Sequence, residues 1–200
     1  MVHNQRPDMH DPMLGSEQVI VVEPENPGSF HATVKLFEKI NGQWFQTMES
    51  FPAVIGRNGS TNDKTEGDGK SPKGMYELGE SFGTKQAPAG IIIPYHQVTN
   101  YDYWIDDQYS DDYNQWMHYE GNPSDHWKSF ERLNHRLYTH AIIVKYNMAP
   151  IIKGKGSAIF MHQWEGENSP TAGCVAMSYD NLVRLMRAIY PQKHPIIRIG

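Results

Sequence analysis

Asn41-Gly42 stands between two runs that each read as a β-strand, and it limits the fold more than any other local feature of the chain. Both residues tolerate positive φ, which a two-residue hairpin turn needs if its twist is to match that of the flanking strands. On one side, residues 31–37 alternate, with Ala32, Val34 and Leu36 on one face. On the other, residues 42–54 return with Trp44 and Phe45. An antiparallel pair is therefore predicted near the start of a mainly β chain. A further β-rich run, residues 18–23, is closed by Pro24 and the turn Asn26-Pro27-Gly28. Strands are also predicted over residues 74–78, 90–95, 139–146, 156–162 and 195–199. A helical period emerges once. Leu182, Leu185, Met186 and Ile189 fall at i, i+3, i+4 and i+7, after Ser178 as N-cap and before Pro191, which stops the helix.

Between these elements lie two long polar stretches. Residues 56–74 contain Gly, Asn, Asp, Lys, Ser and Pro and almost nothing apolar; a loop of that length is either a solvated excursion or functional. Residues 99–137 are polar and rich in aromatics, and loops with short helices are predicted there. Residues 1–16 read as a loose tail and residues 17–200 as a single domain, since no repeat of fixed period divides them. Two hundred residues are enough to bury a core without disulfide or metal staples.

A net charge of −5 gives no electrostatic case for nucleic acid. No apolar run approaches the ~20 residues that span a bilayer, and residues 1–12 lack the apolar core of a signal peptide. The chain either stays inside the cell or has lost a leader. His118, His126, His135 and His140 make no recognised metal spacing, and one cysteine excludes multi-cysteine zinc sites; no metal or cofactor is expected. Lys70-Ser71 within residues 67–74 lacks the Gly-x4-Gly-Lys-Ser/Thr spacing of a phosphate loop.

Chemistry gathers around the single cysteine, Cys174, in Thr171-Ala172-Gly173-Cys174-Val175. Twelve residues earlier, Phe160-Met161-His162 reads as a buried strand ending on a histidine. A thiolate is the nucleophilic form of cysteine, and a neighbouring imidazole can take its proton. Taken alone, Cys174 is equally a small buried hydrophobe and His162 a hydrogen-bonded core histidine.

These residues resemble the catalytic signature of the L,D-transpeptidase (YkuD-like) family: a strand ending in His, a variable loop, then Ser/Thr-x-Gly-Cys. Three further stretches are similar to one branch of it: Gly67-Asp68-Gly69-Lys70-Ser71-Pro72-Lys73-Gly74 with Phe82-Gly83, Trp104-Ile105-Asp106-Asp107 with Tyr113-Asn114, and the helix after the cysteine. Ala172, Ala176 and Gln163 stand where many members have His, Arg and Gly or Ser. The resemblance implies a mainly β sandwich or barrel-like sheet with one helix after the cysteine and an irregular insertion. It implies Cys174 as nucleophile, His162 as base, the Gln163 carbonyl as orienter, and N–H groups of Gly173 and Cys174 facing an oxyanion. Peptidoglycan stem peptides are the implied substrate, with an amine acceptor (L,D-transpeptidase) or water (L,D-carboxypeptidase). Carbapenem-type β-lactams are implied acylating ligands, and a periplasmic or extracellular, cell-wall location follows. Thr171 is expected to line the cleft or steady the loop, and Trp164 to wall it or pack. Trp104, Asp106 and Asp107 are expected to bind a cationic side chain or to frame a loop. A non-catalytic wall-binding module and an intracellular cysteine hydrolase stay open as other classes.

Overall fold

The computed structural model describes residues 15–200. Three long strands open it: β1 (Gln18–Pro24), β2 (His31–Ile40) and β3 (Gln43–Val54). Short strands β4 (Ser60–Thr61) and β5 (Ser71–Pro72) pair with each other and fasten the polar loop, after which come β6 (Gly74–Gly83) and β7 (Tyr95–Gln97). The insertion contributes β8 (Asp102–Trp104), β9 (Trp116–His118) and β10 (Glu131–Arg132). Then follow β11 (Ala141–Val144), β12 (Phe160–Gln163), β13 (Val175–Met177), helix α1 (Tyr179–Ala188) and β14 (Ile196–Ile199).

The main sheet runs β11-β12-β13-β3-β2-β1-β14-β6-β7. β6 is long enough to take three partners: Gly74–Glu77 face β14, Leu78–Phe82 face β11, and Ser81–Gly83 also face β7. The pairing with β11 closes the sheet into a barrel-like ring. The turn at Asn41 (φ 51°) and Gly42 (φ 79°) uses the positive φ at both positions that the sequence predicts. Ala32, Val34 and Leu36 all point into the core. The Ser178 side chain accepts from the Asn181 N–H at 3.3 Å, and Leu182, Leu185, Met186 and Ile189 are fully buried against the sheet.

Several expectations shift. No strand spans residues 90–95: Pro94 cannot donate to a ladder, and β7 starts only at Tyr95. The strand expected over residues 156–162 begins at Phe160, because Ala158 sits at φ +54° and breaks the extended run. The insertion, expected as loops and short helices, is mostly a three-stranded sheet, β10-β8-β9, with one 3-10 turn (Pro123–Asp125). Strands of two or three residues are too short to show a period. Residues 1–14 of the expected tail lie outside the described residues; Ser16 is buried and its hydroxyl donates to the Gln18 carbonyl.

Side-chain alternation on β12 and β13 divides the interior. Met161, Val175 and Met177 face the barrel core with α1. Phe160 and Cys174 face the other way, into a second cluster with Phe82, Trp104, Leu133 and Tyr138 that the insertion covers. No helix among the described residues is long and apolar enough to cross a membrane.

Candidate active site

β12 and β13 run parallel, with Met161 opposite Val175 and His162 opposite Ala176. Successive side chains alternate along a strand, so His162 and Cys174 project from the same side of two neighbouring strands. Ala176, beside His162, is small and leaves that side open. Both line one cleft of about 330 Å³, with Trp164, Thr171, Gly173 and Tyr138.

The Cys174 thiol donates to the Ala158 carbonyl at 3.2 Å, and its sulfur accepts the Phe160 N–H at 3.4 Å. Among the described residues it makes no hydrogen bond with His162. Burial pushes the thiol up to about 12; the Glu131 charge adds to this, while the Phe160 N–H and the Lys64 charge oppose it. Burial likewise drives the His162 imidazole down to about 4, against its hydrogen bond to Gln163 and with the help of His135. The His162 Nδ1–H donates to the Gln163 carbonyl at 2.7 Å. That bond leaves Nε2 as a free base. The Gln163 main chain thus holds the ring, while its side chain accepts from Thr139 Oγ1 at 2.6 Å.

The cysteine loop is stitched down on both sides. Thr171 Oγ1 donates to the Cys174 carbonyl at 2.7 Å and accepts the Gly173 N–H at 3.0 Å. Thr171 therefore steadies the loop as well as lining the cleft. The same bond corrects the expected oxyanion donors: the Gly173 N–H is taken, and of the two the Cys174 N–H is the one without an acceptor among the described residues. Beneath the loop, Ser71 Oγ donates to the Gly173 carbonyl at 2.6 Å and accepts the Gly56 N–H at 3.0 Å. The polar stretch 56–74 is thus the platform of the site and not a free excursion.

Of the acidic block, only Asp106 reaches the cleft, where it accepts from Ser129 Oγ at 2.5 Å. Asp107 is buried, and its carboxylate accepts the Lys128 and Tyr109 N–H groups at 3.0 and 3.1 Å. Trp104 is 2% exposed, donates to Asn114 Oδ1 at 2.9 Å and packs edge-on against Phe160. Both serve as frame. A cationic side chain would not meet them, because backbone and core already use their polar atoms and faces. Trp164 lines the cleft, half-buried, its N–H on the Met177 carbonyl.

Sequence reasoning missed much of the lining, including four residues that bear on the thiol. Tyr138 is buried, its ring edge-on to His162 at 5.2 Å, and its hydroxyl donates to Glu131. Burial pushes Glu131 up to about 7, opposed by the Tyr138 bond and aided by the charges of Asp106 and Glu66. Glu66 accepts from Tyr113 and from Ser157 Oγ. Lys64 is the fourth. All four sit on irregular or very short segments, where no period marks an inward side chain. Over the mouth, Arg136 pairs with Glu165. Among the described residues no group of His, Cys, Asp and Glu forms a metal site.

Residues 24–197 match the family model of the L,D-transpeptidase catalytic domain (YkuD). Among solved structures, the helical cell shape determining protein Pgp2 from Campylobacter jejuni is similar at 18% identity and a TM-score of 0.49, over 92% of this chain and 48% of that one. The chain thus spans about half the length of that protein. No curated protein sequence matches it.

Proposed function

The chain belongs to the L,D-transpeptidase catalytic-domain family, and on that premise we propose that it is a cysteine acyltransferase acting on peptidoglycan stem peptides. The observation that carries this reading is Cys174 and His162 sharing one face of β12 and β13 and one cleft, with the imidazole Nδ1–H fixed on Gln163. Nothing in this arrangement needs a triad acid, since a carbonyl already sets the tautomer.

At rest both groups are neutral, so the proton leaves sulfur only as attack proceeds. It passes to His162 Nε2 while Sγ bonds to the carbonyl carbon preceding the terminal D-amino acid. The carbonyl electron pair moves onto oxygen, where the Cys174 N–H stabilises it. Collapse breaks the C–N bond, and the leaving nitrogen takes the proton back from His162. A thioester remains on Cys174. A second stem's amine converts it to a cross-link; water converts it to a shortened stem, the L,D-carboxypeptidase outcome. Work on this substrate places the protein on the cell-wall side of the membrane.

The test is intact mass after incubation with a carbapenem, together with turnover of a tetrapeptide stem with and without an added amine. Wild type is expected to gain one adduct and Cys174→Ala none. Turnover in Cys174→Ala should fall by a factor on the order of 10³ or more. Turnover surviving in Cys174→Ala would overturn the reading. A wall-binding module would take no adduct and release no product. Cross-linked product only with added amine identifies the transpeptidase; shortened stem in both samples identifies the carboxypeptidase.

A further inference from the structure

Lys64 lies in the polar loop between β4 and β5, where a lysine would ordinarily extend into water. Instead it is 4% exposed. Its Nζ donates to Asp68 Oδ1 at 2.8 Å. The Asp68 carboxylate also accepts the N–H groups of Thr65 and Lys70, at 2.9 and 2.8 Å. Burial alone would raise this carboxyl, but the bonds from Lys64, Thr65 and Lys70 and the Lys64 charge hold it below the ordinary carboxylate range. The stem of Lys64 runs against Gly156, where a β-carbon would meet its Cε at 2.7 Å. The Nζ stands 3.4 Å from where a β-carbon on Gly173 would be, and Gly173 itself is at φ +156°. A side chain at Gly173 would be strained, would crowd the Lys70 carbonyl at 3.0 Å and would lie in contact with the amine. Lys64 also lines the cleft that holds Cys174. An ammonium has three donors, and Asp68 takes one of them.

The rest of the cleft explains why this charge matters. Glu66, Asp106, Glu131 and Glu165 all line it. His135, also in the lining, has its imidazole pushed down by burial and by Arg136, and Arg136 is paired with Glu165. Negative charge appearing at a buried sulfur among these carboxyls is strongly disfavoured. Removing either partner of a buried ion pair is costly, so retaining Lys64–Asp68 at this spot calls for a reason.

We propose that Lys64 is the electrostatic partner of Cys174: held by Asp68 behind Gly173, its ammonium stabilises the negative charge that forms on Sγ and then on the tetrahedral oxygen. The moving proton travels from Sγ to His162 and on to the leaving nitrogen. The proposal rests on Cys174 being the reactive thiol.

The experiment is the pH–rate profile of Cys174 alkylation by iodoacetamide, read by intact mass, in wild type, Lys64→Met, Lys64→Gln and Lys64→Arg. In this probe reaction the S–C bond forms, iodide leaves and the thiol proton goes to buffer. Iodoacetamide does not require stem-peptide turnover, so the proposed substrate can fail while this result stands. Thermal melting identifies the variants that fold. In Lys64→Met the reaction should be about tenfold slower or more at every pH below the thiol's midpoint. Lys64→Arg should restore most of the rate. With a stem peptide, kcat should fall while KM holds. A folded Lys64→Met with an unchanged profile would overturn the proposal. Should Lys64→Met not fold, Lys64→Gln decides: it keeps a donor for Asp68 without the charge, so the reaction should slow about as much, and an unchanged rate would overturn the proposal.

Discussion

At Cys174 and His162 the same burial acts with opposite sign. It holds the thiol protonated, up to about 12, and the imidazole unprotonated, down to about 4. The two groups therefore rest as a neutral pair, and on the proposed mechanism the proton moves only when a substrate carbonyl arrives. Linkage gives this a measurable consequence. The unfolded imidazole binds a proton near 6.5 and the folded one near 4, so between those values the unfolded chain holds more protons. Stability is then lost as pH falls through that window, by about 3 kcal/mol at most. His162→Gln cannot titrate. Melting curves of wild type and His162→Gln from pH 7 to 4.5 should show the difference turning steadily toward the variant as pH drops; a constant difference would contradict the buried neutral imidazole. Other titrating groups, Glu131 included, are common to both proteins.

Among the elements, β12, β13 and α1 set the Cys174–His162 pair. The two strands are parallel and short, and a register slip of one residue would send His162 into the barrel core. Immediately after β13, α1 locks this register with four buried side chains from one stripe, and Ser178 caps it. Ser178→Ala should cost about 1 kcal/mol and lower Tm by about 2–4 °C, measured by thermal unfolding, with the carbapenem adduct on Cys174 retained. A change below half a degree would mean that the cap does not hold the helix start. Elements with a long period were legible from the chain: the hairpin at Asn41-Gly42, the alternation of β2 and the stripe of α1. The strands β8, β9 and β10 were not, because two or three residues pair through partners distant in sequence.

For the whole molecule, closure of the ring matters less to the chemistry than what covers its outside. The insertion packs Trp104 and Leu133, with Tyr138 just after it, onto Phe160 and Cys174, and its Asp106, Glu131, His135 and Leu137 line one wall of the cleft. Asn114 (φ +57°) ties that wall down. Its Oδ1 accepts from Trp104 Nε1 and from the Ala158 N–H at 2.9 and 3.1 Å; its Nδ2 donates to the Tyr146 and Asn147 carbonyls at 3.1 and 2.8 Å. Ala158 is also the residue whose carbonyl takes the Cys174 proton donor. Asn114→Ala should destabilise by about 3 kcal/mol through the buried groups it leaves unpaired, read by urea unfolding. It should also slow Cys174 acylation under conditions where the variant is still folded. A loss under about 1 kcal/mol would show that the insertion is held by apolar packing alone.

The sequence by itself determined the mainly β class, the hairpin, the capped helix and the Cys174–His162 pair. Each of these depends on a short-range rule: side-chain period, positive φ at Asn41-Gly42, a capping hydroxyl, a cysteine and a histidine at a family spacing. The tertiary structure alone decided that Asp106 faces the cleft while Asp107 and Trp104 do not, that Thr171 takes the Gly173 N–H, and that Lys64, Glu66, Glu131 and Tyr138 surround the thiol. These placements depend on which loop lies over which strand once the ring has closed, and a loop side chain carries no period that tells water from core.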